Sequence, residues 1–237
     1  MNTIIFLHGG TLNKNMWLPQ IDDLKNEFHT LTFDLPRHGE NIMKPFTFES
    51  AVNSIAKFIE SENVRDKFTL VGLSLGGYVA IKYADKYPNQ ISGLVLSGCS
   101  AQYTGMIKLL ANIAVLSLSL TNQRIFERKQ KKNLLKITSP DIVGSIFKNG
   151  LSLLGGKESM NEIIGKDFTN ILSHINVPIL LVNGENDRLN KRYEHKYQEG
   201  NTNVSLKVIN DCGHLCSLEK PHLFSQEIRH FMSVTHA

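Results

Sequence analysis

Short apolar runs alternate with longer stretches of helical spacing along most of this chain, and this alternation limits the possible folds more than any other feature. Parallel strands need long crossover connections, usually helices, so the pattern predicts a parallel sheet with helices on both faces. The runs predicted as strands are 3–7, 28–33, 68–73, 91–96, 177–183 and 204–209. The main helices are predicted over 17–28, 48–59, 75–87, 191–199 and 221–232. We therefore expect an α/β fold whose central sheet is mostly parallel and has about six strands.

The alternation stops after Ser100 and resumes near residue 171. Residues 101–170 have helical patterns and contain no convincing strand. A chain of 237 residues fits one large domain or one domain with an insertion. We therefore expect a core made of residues 1–100 and 171–237, interrupted by a helical lid insertion over residues 101–170.

The composition is that of a soluble globular protein, with 41% hydrophobic and 20% charged residues. The first apolar run is not preceded by basic residues and is too short for the core of a signal peptide. The longest apolar stretch, 106–120, contains Lys108 and Asn112 and is shorter than the ~20 residues that span a bilayer. We expect a cytoplasmic protein without stable membrane insertion.

The chain has three cysteines, Cys99, Cys212 and Cys216, and an odd number argues against a disulfide framework. Cys212 and Cys216 flank His214, so a metal site has to be considered. Two cysteines and one histidine are an incomplete set for structural zinc, which usually has four ligands. We expect both cysteines to be half-buried residues near a turn, and no bound metal.

The net charge of +4 comes from one short segment. Residues 124–132 carry five basic side chains and one acidic side chain. Such a segment is usually the solvated face of a helix, and the alternative is attraction of an anionic substrate or a membrane surface. No nucleic-acid-binding motif accompanies it, so no nucleic-acid partner is expected. The sequence carries no signal for an oligomeric state.

A G-x-S-x-G motif, Gly72-Leu73-Ser74-Leu75-Gly76, lies between the third predicted strand and the following helix. In this strand–turn–helix context the serine projects from a sharp turn as a nucleophile. The flanking glycines let the helix and the strand pack closely. The Leu75 amide then lies at a helix N terminus, where positive dipole accumulates, and is a candidate oxyanion donor. The alternative is that Ser74 only caps the helix.

A serine hydroxyl needs a base that removes its proton, and His214 is the candidate among nine histidines. It follows the sixth predicted strand, at the carboxyl edge where the sites of parallel sheets assemble. His8 and His38 also follow strands, but each precedes a turn glycine and could instead support its own loop. The others are predicted on the surface or at strand starts: His195, His222, His230 and His236, and His29 and His174.

Asp187 is the candidate acid that orients His214, because it follows the fifth predicted strand. The order Ser74, Asp187, His214 is the triad order of α/β hydrolases. Glu185 and Asp211 are alternative acids, whereas Asp34 is expected to brace its own turn. A solvated loop carboxylate is the alternative interpretation of Asp187.

The loop after the first strand should supply a second oxyanion donor. The amide of Gly10 is the first candidate and that of Thr11 the second. The alternative is that the glycines of this loop only permit its turn.

Three further motifs make the chain resemble the α/β-hydrolase superfamily over nearly its full length. His8-Gly9, with Trp17 nine residues after His8, is similar to the family's oxyanion loop. Residues 34–39 resemble its D-x-x-G-x-G turn, with Arg37 in place of the first glycine. Residues 213–221 resemble its G-H-x(4)-E-x-P ending. Most members have two strands before the oxyanion loop, for which this chain has no room. The resemblance therefore implies a truncated, six-stranded sheet with the order 2-1-3-4-5-6.

The resemblance also implies a serine hydrolase that cleaves a small or medium carboxylic ester, or a thioester, without metal or organic cofactor. Leu109 and Leu116, with Thr11, are candidate substrate-binding residues. The apolar residues Leu109, Leu110, Ile113, Leu116 and Leu120 could line an acyl pocket, or could only pack the lid on the core.

Two alternative activities stay open. One is a lyase or C–C hydrolase with the same triad, and the other is a non-catalytic binding protein. A serine nucleophile, in place of aspartate, disfavours dehalogenase and epoxide-hydrolase chemistry. The menaquinone-pathway lyases of the superfamily carry an arginine where this chain has Tyr78, which counts against the lyase.

Overall fold

The computed structural model describes residues 1–235 and contains one six-stranded sheet. Its strands are β1 (Thr3–Leu7), β2 (His29–Phe33), β3 (Phe68–Leu73), β4 (Ile91–Ser97), β5 (Ile179–Gly184) and β6 (Val204–Ile209). All neighbouring strands are parallel, and their order is β2-β1-β3-β4-β5-β6. The predicted fold class and strand order are confirmed. Since the strands are parallel, their carboxyl ends form one edge of the sheet.

Helices connect the strands. Those of the first half are α1 (Leu18–Leu24), α2 (Phe48–Ser61) and α3 (Leu75–Lys86). Those of the second half are α9 (Arg188–Lys191), α10 (Glu194–Gly200), α11 (Cys216–Glu219) and α12 (Pro221–Thr235). The helix predicted over 191–199 is in fact two short helices. The first of them begins where the Asp187 side chain accepts a hydrogen bond from the Asn190 amide and caps it.

Each face of the sheet packs into its own apolar core, as expected for a parallel sheet covered on both sides. Ile5, Leu7 and Leu70 point into the core that contains α2 and α3. Ile4, Phe6 and Val71, their neighbours along the same strands, point into the core that contains α1 and α12. This alternation follows from the two-residue period of a strand.

Five helices lie between β4 and β5: α4 (Gly105–Ser119), α5 (Gln123–Leu134), α6 (Pro140–Lys148), α7 (Leu153–Ile163) and α8 (Phe168–Leu172). The inner residues of α5 and α6, including Phe126, Leu134 and Ile146, pack into the core of α1 and α12. In residues 1–235 no single helix is long and apolar enough to cross a membrane. Only α4 and α5 taken together have sufficient length and apolar composition, and this pair of helices is bent by 116°.

Candidate active site

Ser74 occupies the turn between β3 and α3 in a strained conformation, with φ 53° and ψ −113°. A non-glycine residue in this part of conformational space costs about 1–3 kcal/mol and persists where the surroundings impose it. Here β3 ends directly before the serine and α3 begins directly after it. The Ser74 amide also donates a 2.7 Å hydrogen bond to the carbonyl of Ser97 on β4. The serine is thereby held at the carboxyl edge of the sheet, partly exposed.

The glycines around Ser74 allow α3 to lie directly against the strands. A Cβ atom on Gly72 would lie 2.4 Å from the carbonyl carbon of Gly76. A Cβ atom on Gly76 would lie 2.1 Å from the carbonyl oxygen of Leu7. Neither obstacle is a side chain that could turn away, so these two positions require glycine in this geometry.

His214 and Asp187 are brought together across 27 residues of sequence. His214 Nδ1 lies 2.7 Å from Asp187 Oδ2. The carboxylate also accepts hydrogen bonds from Asn190, from Nδ2 at 2.9 Å and from the amide at 3.4 Å. Because the carboxylate accepts a hydrogen bond from Nδ1–H, the neutral ring keeps the lone pair on Nε2. That is the tautomer that a general base requires.

Asp187 is ionised in this setting. Burial by itself would raise the pKa of the carboxyl group, since its side chain is only 7% exposed. The hydrogen bond and charge of His214, with the two donors of Asn190, outweigh burial and hold the pKa of Asp187 below its ordinary value. The His214 side chain is 44% exposed, so in this pair the Asp187 carboxylate is shielded from solvent and the His214 imidazole is accessible.

The loop after β4 supports the imidazole. Gly98 has φ +59°, and a Cβ atom there would lie 2.7 Å from His214 Cε1. The Gly98 amide donates to Asn183 Oδ1 at 2.9 Å, and Asn183 Nδ2 donates to Glu194. Sequence reasoning missed Gly98, Asn183 and Asn190. Gly98 and Asn183 act through contacts with residues distant in sequence. Only Asn190 had a local signal, its place three residues after a helix-capping aspartate.

Ser74 and His214 line one cavity of about 300 Å³, together with Gly10, Thr11 and Leu134. A second cavity, of about 160 Å³, lies on the other side of the serine. Its lining includes Leu75, Leu118, Gly156, Met160 and Ile163. Ser74, Gly10 and Thr11 line both cavities. The serine therefore stands between two spaces, and only one of them also contains the histidine.

The candidate oxyanion donors meet at the serine. Leu75 is the first residue of α3, so its amide has no intrahelical acceptor. The Cβ position of Gly10 is 3.8 Å from Leu75 Cβ, which places the β1 loop against the start of the helix. The Thr11 amide is already used, since it donates to His38 Nε2 at 3.3 Å. Of the two predicted donors in this loop, the geometry therefore favours Gly10.

His8 and His38 support the loops as the sequence suggested. His8 Nδ1 donates to the Gly9 carbonyl at 2.8 Å, and its Nε2 accepts from the Leu35 amide at 3.0 Å. His38 Nδ1 donates to the Pro36 carbonyl at 2.9 Å. Both rings are fully buried. Burial lowers the pKa of His8, and burial with the neighbouring His8 ring lowers the pKa of His38 to about 3. Both histidines are neutral parts of the scaffold.

Acidification is expected to destabilise the fold through His38. The unfolded chain binds a proton here as the pH falls through 6.5, whereas the native state binds it only near pH 3. Between these values each pH unit should lower the free energy of unfolding by about 1.4 kcal/mol, and His8 acts in the same direction. Urea denaturation at about pH 7.5 and about pH 4.5 measures the loss. His38→Asn should reduce the pH dependence of the free energy of unfolding, whereas the control His195→Asn, at an exposed position, should not. An unchanged pH dependence in His38→Asn would contradict the prediction that His38 causes the loss of stability.

Asp34 braces its turn. Its carboxylate accepts hydrogen bonds from the amides of Lys14 and Glu40 and from Asn149. Arg37, in place of the usual glycine, has φ 67°. Its guanidinium donates to Glu158 of α7 at 3.1 Å, which ties this turn to the helices between β4 and β5.

The other candidate acids and bases lie away from the serine. Glu185 Oε2 accepts from the amide of Asp211 at 3.2 Å rather than from His214. His222 pairs with Asp23 at 2.9 Å and is exposed. The remaining histidines within residues 1–235 are also exposed: His29, His174, His195 and His230. His236 lies outside the described residues.

Two sequence expectations are corrected by burial. Cys212 and Cys216 are not half-buried but fully buried, at 1% and 0% exposure, because both side chains pack into the core that contains α1 and α12. Leu109 and Leu116 line neither cavity and are 54% and 62% exposed. They lie on the outer side of α4, and Leu118 is the α4 residue that faces the serine. In the described part of the chain no three His, Cys, Asp or Glu side chains are grouped as metal ligands.

Known proteins resemble this chain along its whole length. A model described as the alpha/beta hydrolase family matches residues 4–227. Monoacylglycerol lipase ABHD6 of Bos taurus is 26% identical over 99% of this chain and 76% of its own length. The pimeloyl-[acyl-carrier protein] methyl ester esterase of Neisseria meningitidis is 25% identical over 97% of this chain and 93% of its own length.

Solved structures show the same fold. A thermophilic esterase from Thermogutta terrifontis superimposes with a TM-score of 0.82, at 24% identity, over 100% of this chain and 91% of its own. MenH from S. aureus superimposes with a TM-score of 0.83, at 22% identity, over 100% of this chain and 95% of its own.

Proposed function

Since this chain belongs to the alpha/beta hydrolase family and is an ester hydrolase, we propose that it cleaves a small or medium carboxylic ester through an acyl-enzyme on Ser74. The observation that supports this most directly is the 2.7 Å hydrogen bond between His214 and Asp187, with His214 and Ser74 facing one cavity. Both curated relatives carry names of ester-cleaving enzymes. No metal or organic cofactor takes part in the proposed reaction.

The proposed reaction has two halves. In the first, Ser74 Oγ attacks the ester carbonyl while His214 Nε2 takes its proton, and His214 then passes that proton to the departing alkoxide. In the second, a water molecule loses its proton to His214 and attacks the acyl carbonyl, and His214 then donates that proton to Ser74 Oγ as the acid is released. Asp187 holds the imidazole and stabilises its charged form. The amides of Gly10 and Leu75 stabilise the negative oxygen, each contributing on the order of 10²- to 10³-fold to kcat.

We place the two parts of the ester, its alcohol and its acyl chain, in the two cavities. Because His214 protonates the leaving group, the alcohol belongs in the cavity that His214 lines, beside the amide side chains of Gln130 and Asn133. The acyl chain then belongs in the smaller cavity, lined by Leu118, Met160 and Ile163. Residues of α4, α5 and α7 line the two cavities, so we assign these helices the role of a lid.

Replacement of Leu118 by tryptophan is expected to shorten the preferred acyl chain. The larger ring would occupy the 160 Å³ cavity and exclude longer chains, while Ser74, His214 and Asp187 keep their places. One methylene in an apolar pocket changes discrimination by ~10- to 200-fold, so kcat/KM for long esters should fall at least about ten-fold relative to the acetate. Rates on p-nitrophenyl esters of increasing chain length measure this. Leu116→Trp is the matched control, since Leu116 lies two residues away on the outer side of the helix.

An equal shift in both variants would contradict this placement of the acyl chain. No shift in Leu118→Trp would contradict it as well.

Fluorophosphonate labelling, followed by the same ester panel, tests the proposed function. We expect stoichiometric labelling on Ser74 and turnover of short or medium esters. Labelling without turnover of any ester or thioester would favour the lyase or C–C hydrolase. Absence of labelling would favour a non-catalytic binding protein.

A further inference from the structure

The helix α4 is apolar on two opposite faces, and the protein covers only one of them. Ala111 and Val115 are buried, and Ile107 and Leu118 are partly buried, on one side. The other side carries a stripe of six exposed apolar residues: Met106 (70%), Leu109 (54%), Leu110 (59%), Ile113 (56%), Leu116 (62%) and Leu120 (82%). Their spacing of three and four residues places them on a single face. A contiguous exposed apolar stripe of this kind marks an interaction site, so the stripe indicates that this face of α4 has a partner.

The next helix supplies positive charge. After three residues α5 begins, and its inner side is anchored by the buried side chains of Phe126 and Leu134. The helix carries five exposed cations: Arg124, Arg128, Lys129, Lys131 and Lys132. Within residues 1–235 none of the five forms a salt bridge. Ile125, 66% exposed, adds one exposed apolar residue on α5. We call these residues together the α4–α5 surface.

We propose that the α4–α5 surface docks on an anionic lipid bilayer. The apolar stripe of α4 would enter the boundary between headgroups and acyl chains, parallel to the membrane plane, and the α5 cations would contact anionic headgroups. This combination of a cationic face with an adjacent apolar face is that of helices that lie in a membrane interface. Neither helix spans the bilayer in this arrangement.

Charge complementarity favours a lipid surface over a second copy of the chain. A two-fold symmetric contact through α4 would place the same surface patch of both copies together. The uncompensated α5 cations of the two copies would then approach each other and repel. An anionic bilayer instead neutralises them, and each cation near its surface raises the binding affinity about five-fold.

The docking surface lies on the outside of the helices that line the two cavities. Leu118 of α4 lines the smaller cavity, and Gln130, Asn133 and Leu134 of α5 line the larger one. Docking would therefore bring the site next to the membrane, where apolar esters concentrate. Vesicle binding requires neither Ser74 nor His214, so this inference does not depend on the proposed function. The Ser74→Ala protein should bind vesicles as the native chain does.

Flotation of the full chain with vesicles tests the proposal. We expect binding to vesicles of phosphatidylcholine with about 30% phosphatidylserine, and at least about ten-fold weaker binding to phosphatidylcholine alone. Raising the salt from about 0.1 M to about 1 M should release the protein partly, because screening removes only the charge contribution. A binding affinity that is independent of both lipid charge and salt concentration would overturn the proposal.

Combined variants separate the two contributions. Leu109→Gln, Ile113→Gln and Leu116→Gln together should weaken binding to the anionic vesicles by at least about ten-fold. Arg124→Gln, Arg128→Gln and Lys132→Gln together should do the same. The matched control removes three exposed cations elsewhere, Lys57, Lys67 and Lys207, by the same exchange to glutamine. An equal loss in this control would mean that net charge acts rather than the α4–α5 surface, and would overturn the proposal.

A spectroscopic readout locates the contact. Trp17 is the chain's one tryptophan and is fully buried, so a new tryptophan at Leu116 reports its own surroundings. Its emission should shift to shorter wavelength on the anionic vesicles, whereas that of Val234→Trp, at a 66% exposed position on α12, should not. A different set of results would show that the surface joins two copies of the chain and that the proposal is wrong. In that case the chain self-associates, the combined Leu109, Ile113 and Leu116 variant does not, and vesicles do not shift the emission of Leu116→Trp.

Discussion

Replacement of Ser74 by alanine is expected to lower kcat for ester hydrolysis on the order of 10⁶-fold and to abolish fluorophosphonate labelling. Loss of the nucleophile removes the covalent step, and only binding and the oxyanion donors remain to assist water. The fold should survive. Ser74 makes its one hydrogen bond to the adjacent strand through the backbone amide, which alanine keeps. Initial rates with a p-nitrophenyl ester, and intact-protein mass spectrometry after labelling, measure both effects.

A serine far from the site provides the control. Ser92 stands near the start of β4, at the opposite edge of the sheet, where its hydroxyl lies 3.1 Å from that of Thr69. Ser92→Ala should keep both the labelling and the native kcat. Covalent labelling that persists in the Ser74→Ala protein would show that another residue is the nucleophile.

Replacement of Asp187 by asparagine is expected to lower kcat by about 10⁴-fold. The Asn side chain can donate to His214 Nδ1, which places the ring proton on Nε2. His214 then has no lone pair facing the cavity and cannot accept the proton of Ser74. KM should change much less than kcat, because Asp187 lines neither of the two cavities. Steady-state kinetics on one short ester separate the two parameters.

Glu185→Gln is the matched control for the acid. Glu185 follows the same strand two residues earlier, and its carboxylate contacts the amide of Asp211. Its replacement should leave kcat within a few-fold of native, since surface changes of this kind are usually small. If Glu185→Gln lost activity and Asp187→Asn kept it, Glu185 would be the acid that acts on His214.

A comparison of α2 with α4 shows where hydrophobic periodicity stops being informative. In α2 the buried residues Phe48, Val52, Ile55 and Ile59 recur at helical spacing and leave one polar face, so the inner side follows from sequence. In α4 apolar residues lie on two opposite faces, and the pattern does not distinguish the inner face from the outer face. Leu116 and Leu118 are both leucines, yet the first is exposed and the second lines a cavity.

The sequence by itself determined the features that depend on neighbouring residues. The alternation of strand and helix patterns predicted the parallel sheet of about six strands, and the resemblance to the α/β-hydrolase superfamily implied its strand order. The candidate nucleophile was equally local, because the strand end, Ser74, the Leu75 amide and the glycines that permit the turn are consecutive. The placement of candidate residues at strand ends also followed from the sequence. Each of them directly follows a predicted strand, and the carboxyl ends of parallel strands share one edge of the sheet.

The tertiary structure decided what depends on contacts between distant segments. Glu185 and Asp187 follow the same strand, but only the side chain of Asp187 meets His214, which lies 27 residues further along the chain. Gly10 and Thr11 share a loop, but the Thr11 amide is occupied by His38. No local pattern contains these partners, because each pairing is set by how two loops from different strands meet above the sheet.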